Sequence, residues 1–210
     1  MNPGKFRTLL VSAALALAGC AFGHREDLVV LAPGLSQGEA PTAPAAPRPW
    51  QLVVAEPRAV APLDGTRILV MPTPGEIQFY KGVRWRDATP AMLQDLFVQA
   101  FRNTGLPGTG VPAGGLRADL LLRTDLEQFQ AEYRGAQAPT VVVRISAQLI
   151  RDGTIVAAHV FEVEEACADE HMPEVFAAFQ RAIDKATAAM VAWTIAAGDA
   201  AGTPRRGMQR

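Results

Sequence analysis

The sequence predicts an α+β domain: a mostly antiparallel sheet with two amphipathic helices packed on it. Three observations point there. Between residues 28 and 166 the chain is rich in short apolar runs of period two, separated by Pro/Gly turns. Two stretches, from Thr89 and from Pro173, switch to a helical period. Asp152-Gly153 joins the last two strand-like runs by a dipeptide that tolerates positive φ at both turn positions.

The elements follow in order. "DLVVLAPG" supplies a first short strand at 28–32, and the Pro/Ala-rich insertion at 34–49 reads as a loose, semi-extended loop. "QLVVAEPRAV" at 51–60 is a strand interrupted by Pro57, hence an edge or bulged strand. "RILVM" at 67–71, the turn signal "TPGE" at 73–76 and "IQFYKGV" at 77–83 form a hairpin. Thr89 is the expected N-cap and Pro90 suits the first helical position. Leu93, Leu96, Phe97, Ala100 and Phe101 make one apolar stripe, and Asn103 and Gly105 end the helix. A loop at 105–115 leads to a strand at 118–133, whose apolar phase flips near Glu127 and so predicts a bulge. Residues 140–150 put Val141, Val143, Ile145, Ala147 and Leu149 on one face, and 155–166 is the return strand. In the last helix Phe176, Phe179, Ile183, Ala186, Met190 and Trp193 form the stripe that lies across the sheet. The tail from 198 to 210 is polar and expected to be disordered.

The N-terminus states where the protein lives. Lys5 and Arg7 precede an apolar run from Leu9 to Ala18, which is too short to span a bilayer and fits a secretory signal. The run ends Leu17-Ala18-Gly19-Cys20, an arrangement similar to the lipobox of bacterial lipoproteins. Residues 1–19 then read as signal peptide and 20–27 as a lipidated tether. Residues 28–197 are the folded domain. Acyl chains on Cys20, palmitate among them, would hold the protein on a membrane, since two or more chains anchor stably. Ala21 rather than Asp follows the Cys, which argues for the outer membrane, periplasmic face. The formal charge of −1 becomes more negative once Lys5 and Arg7 are removed, so a nucleic-acid partner is not expected. Cys167 has no partner if Cys20 is lipidated, and reads as a small buried apolar residue.

The run from Arg67 to Gly105 resembles the ABC-type transport auxiliary lipoproteins, the outer-membrane lipoproteins that accompany paraquat-inducible and other MCE-type lipid-transport systems. The resemblance rests on Tyr80, Gly82, Arg84 and Trp85 as a "Y-x-G-x-R-W" element and on the proline-started helix after it. It also rests on Leu126-Glu127-Gln128-Phe129 and on a terminal helix with Phe176 and Trp193. It covers roughly 28–195, although the insertion at 34–49 is long and Arg86 stands where a small or acidic residue would be usual. Membership implies a docking or conduit component that helps an MCE protein bridge the envelope. An inner-membrane permease and ATPase would supply the energy. A homo-oligomeric ring would suit a conduit. The chain has no Walker-type loop of its own.

The segment "EIQFYKGVRWRD" at 76–87 is the main site candidate, and two readings stay open. Either Phe79, Tyr80 and Trp85 cap the core, one of the first two meeting Phe97 and Phe101, or Tyr80, Lys81, Arg84, Trp85 and Arg86 form a cationic-aromatic surface for a partner. No enzyme is expected. Ser36 and Ser146 lack nucleophile-elbow glycines, and His24, His159 and His171 are scattered. Cys167, Asp169, Glu170 and His171 read as a solvated turn rather than a metal site. Glu162, Glu164 and Glu165 read as the solvated face and end of a strand. No cofactor is implied. A lipid- or drug-holding periplasmic lipoprotein and an outer-membrane assembly lipoprotein remain as alternatives.

Overall fold

The computed structural model describes residues 28–35, 48–106, 109–111 and 118–202. The expected signal and Cys20, together with His24, Ser36, most of the Pro/Ala-rich insertion and residues 203–210, lie outside them. Seven strands and two helices follow in order: β1 (Val29–Leu31), β2 (Leu52–Val54), β3 (Arg67–Met71), β4 (Gln78–Trp85), α1 (Thr89–Asn103), β5 (Leu120–Glu132), β6 (Thr140–Arg151), β7 (Thr154–Ala166) and α2 (Met172–Gly202). They form one sheet in the order β1-β4-β3-β5-β6-β7, with β2 also on β5.

The sheet is mixed, which corrects the expectation of a mostly antiparallel one. β3/β4, β5/β6 and β6/β7 are antiparallel, whereas β1/β4, β2/β5 and β3/β5 are parallel. A tight turn forces its two strands to run antiparallel, so hairpins are readable in a sequence. The chain from β4 to β5 instead passes through α1, long enough to bring β5 back beside β3 in the parallel sense. β2 and β3 lie end to end along β5: Leu52–Val54 face Leu120–Leu122, and Leu69–Met71 face Gln130–Glu132. Beyond Pro57 the chain touches β5 again by the Arg58–Asp125 bridge.

Two of the three register slips among the described strands have a sequence cause. The β5/β6 register slips between Leu126 and Gln128, where the apolar phase flips. In β4 the slip against β3 falls between Phe79 and Arg84, around Gly82 at φ +69°. That backbone suits a residue without a Cβ, and the extra length changes which face of the sheet the following side chains meet. The Asp152-Gly153 turn takes φ of 49° and 76°, as its sequence predicts.

The helices touch each other and cover one face of the sheet. α1 begins one residue earlier than the sequence suggests. Ala88 is its N-cap, with no side-chain cap, and Thr89 sits inside the helix, where its hydroxyl donates to the Gly65 carbonyl. The core joins Phe97 and Phe101 of α1 and Val175, Phe179, Ile183, Ala186 and Met190 of α2. Leu122, Leu126 and Phe129 of β5 and the odd-numbered side chains of β6 face them. α2 runs past the expected end of the domain to Gly202, so residues 198–202 of the expected tail are helical. The reason is Trp50, which is buried and donates its indole N–H to Asp199 at 2.9 Å. Arg48 meets the same carboxylate. A Cβ on Gly198 would stand 2.7 Å from the Trp50 ring. Gly198→Val is therefore expected to lower stability by about 1–3 kcal/mol in chemical denaturation, the cost of overpacking. An unchanged midpoint would mean that α2 does not close on Trp50.

Candidate functional site

The segment from Glu76 to Asp87 divides between core and surface. Trp85 is 1% exposed and belongs to the core, which corrects its place in the docking surface. Its ring meets Phe179 edge-on at 5.1 Å between centroids, Phe129 at 5.6 Å and Phe176 at 6.4 Å. The register slip around Gly82 sends it there, and the rings it meets lie on β5 and α2. Tyr80 packs half-buried on the same core. Burial, with the Tyr133 phenol second, pushes its hydroxyl above the ordinary phenol range. Phe79 lies half-exposed, with the Arg67 guanidinium 3.5 Å above its ring centroid. Arg84 is partly buried, and its Nε is enclosed without a hydrogen-bond partner among the described residues. Only Lys81 and Arg86 stand out into solvent, and Arg86 is held by Asp87 at 2.6 Å. The five residues therefore do not make one continuous patch.

The uncovered face of the sheet is a field of paired charges. Arg144 holds Glu127 at 2.8 Å and also Glu162, while Arg134 holds Glu132 at 3.0 Å and Glu164 at 2.7 Å. Exposed pairs of this kind add little stability. Glu165 departs from its expected solvated place: its residue is 8% exposed, and its carboxylate is clasped by Arg181 at 3.0 Å and by Lys185 of α2. These bonds, Lys185 first and then Arg181, hold its pKa below the usual carboxylate range against the opposing effect of burial. A lowered folded-state pKa stabilises the protein above the unfolded value, and that contribution is lost as pH falls through the folded value. Glu165→Gln should therefore cost about 1–3 kcal/mol at neutral pH, with the gap to wild type closing below pH ~4. Urea unfolding at several pH values reads this directly; a gap independent of pH would show that the clasp is not electrostatic.

The other candidates resolve simply. Asp169 accepts the backbone N–H of His171 at 2.8 Å, which makes "CADEH" a turn before α2. Among the described residues no group of three or more His, Cys, Asp and Glu is placed to hold a metal ion. Cys167 is buried, as read, and burial pushes its thiol up. Ser146 sits in mid-β6 opposite Val160 and Asp125. His159 stacks on Trp193 at 6.0 Å. A feature the sequence reading missed is a cleft of about 320 Å³ lined by Pro49, Trp50, Asp119, Arg151 and Asp152. It is walled largely by polar atoms, and no local motif announces it, because its lining comes from three separate stretches of chain.

A mixed sheet backed on one face by two helices defines an α+β domain. The chain belongs to the family of the ABC-type transport auxiliary lipoprotein component, whose model matches residues 34–191. A protein of Xanthomonas campestris of known crystal structure is 32% identical, with 82% of this chain and 98% of that one covered and a TM-score of 0.75. An uncharacterised protein of known structure, 15% identical, shares the fold at a TM-score of 0.62, with 80% of this chain and 98% of that one covered. Among curated proteins none matches the chain. No helix of the described residues is long and apolar enough to cross a membrane.

Proposed function

We propose that the chain is a lipid-anchored, periplasm-facing auxiliary component of an MCE-type intermembrane lipid-transport system, held at the outer membrane through Cys20. It docks an MCE-domain protein and, through it, the inner-membrane permease and ATPase, and it carries out no chemistry of its own. The observation that carries this reading is the agreement of two independent features: the family match over 34–191 and a lipobox-like Leu17–Cys20 just upstream of it. The helices support a scaffold rather than a carrier, because their apolar stripes fill the sheet face with side chains. Assembly into a ring of identical copies belongs to the same proposal. Lys81 and Arg86 remain available to a partner, with Tyr80 and Arg84 at their base. Cross-linking in intact cells, followed by purification of this chain, tests the reading. An MCE-domain protein with its permease and ATPase should be recovered; recovery of peptidoglycan or assembly-machinery proteins instead would overturn it.

A further inference from the structure

The corner where β1 meets β4 carries exposed apolar side chains that the proposed function does not use, beside Lys81, which it does. β1 pairs with β4 in parallel, Val29 opposite Val83 and Leu31 opposite Trp85. β4 itself starts at Gln78, so its first half projects beyond the start of β1. The chain thus enters the sheet from the end that carries the Thr73–Glu76 turn. Leu28, Val29 and Val30 along the edge strand and Ile77 just before β4 are each 45–55% exposed, so this edge shows apolar side chains on both of its faces. Cations flank them: Lys81 is exposed, and Arg67 lies across Phe79. The acid beside them, Glu76, accepts hydrogen bonds from Thr73 and Gln78, which hold its carboxylate below its usual pKa and direct it into its own turn.

We propose that this corner is a lipid-facing surface, resting on the phospholipid leaflet that holds the anchor. The proposal depends on lipidation of Cys20. Seven residues lie between Cys20 and Leu28, and the eight Cα–Cα steps this makes can reach no further than about 28 Å. The leaflet is therefore always within a domain's width of the point where the chain enters the sheet. An apolar edge rimmed by Lys and Arg is the chemistry that settles at a headgroup layer, with the side chains in the interface and the cations on lipid phosphates. A short tether keeps the local concentration of that surface high, so weak contacts suffice. The opposite end of the sheet, with the Asp152-Gly153 turn and the polar cleft, then points into the periplasm. α2 runs roughly 46 Å in its 31 residues, which sets the scale of that projection.

The test uses the full acylated protein in vesicles of phosphatidylethanolamine and phosphatidylglycerol that carry a spin-labelled lipid. A single fluorophore is placed by Ile77→Cys or, as a control at the far end, by Thr154→Cys. The label at 77 should be quenched about threefold or more relative to the label at 154, and Arg67→Glu with Lys81→Glu should abolish the difference while the protein still floats with the vesicles. Equal quenching at both sites in the floating, acylated protein overturns this orientation and leaves the anchor standing. Energy transfer between copies at the 77 label, without lipid quenching, overturns it too, in favour of a second copy on the corner. A mature mass without acyl chains removes the anchor itself, and the orientation with it.

Discussion

Trp85→Ala is expected to lower stability by about 3–5 kcal/mol, the cost of deleting a fully buried Trp. The indole is 1% exposed and lies among Phe129, Phe176 and Phe179, which join β4 to β5 and to α2. Truncation leaves a cavity that three rings on two different elements cannot all close, so relaxation recovers little. For a domain of this size the thermal midpoint should drop by about 10 °C. Arg86→Ala, one residue on and facing solvent, should change stability by less than about 1 kcal/mol. The pair separates core from surface: loss of partner association in Trp85→Ala at a temperature where the protein is folded would reopen a recognition role for the ring.

Cys20→Ser should release the protein from the membrane. Oxygen in place of sulfur gives no thioether, and without acyl chains no described helix can hold the chain in a bilayer. Fractionation should move the mutant from the membrane pellet to the soluble periplasm, while its far-UV circular dichroism stays that of the wild type, because no contact of the described domain changes. A mutant that stays in the pellet, resistant to carbonate, would show attachment by another route.

Much of the fold was legible because it is written locally. The Asp152-Gly153 turn, the bulge at Glu127 and the apolar stripes of α1 and α2 all depend on residues within a turn or two of each other. What the sequence hid is non-local. The parallel pairings of β1, β2 and β3 bring together segments separated by loops or a helix, and no residue pattern states a strand's direction. The polarity of the tail from 198 onward hides the last turn of α2, which holds because Trp50, far upstream, closes on Gly198 and Asp199. The candidate surface split for a related reason. Alternation along β4 puts Trp85 outside only if the strand is regular, and the extra length around Gly82 changes the face. Glu165 reads as solvated in the sequence because nothing local shows that Arg181 and Lys185, one turn apart on α2, reach back to it.

The most direct measurement of the central claim is the rate at which labelled phospholipid passes between the two membranes of a strain lacking this chain. Restoring the wild-type chain should return the rate to its original value, and restoring Cys20→Ser, equally abundant but soluble, should not. A rate that is untouched by deletion would contradict the account.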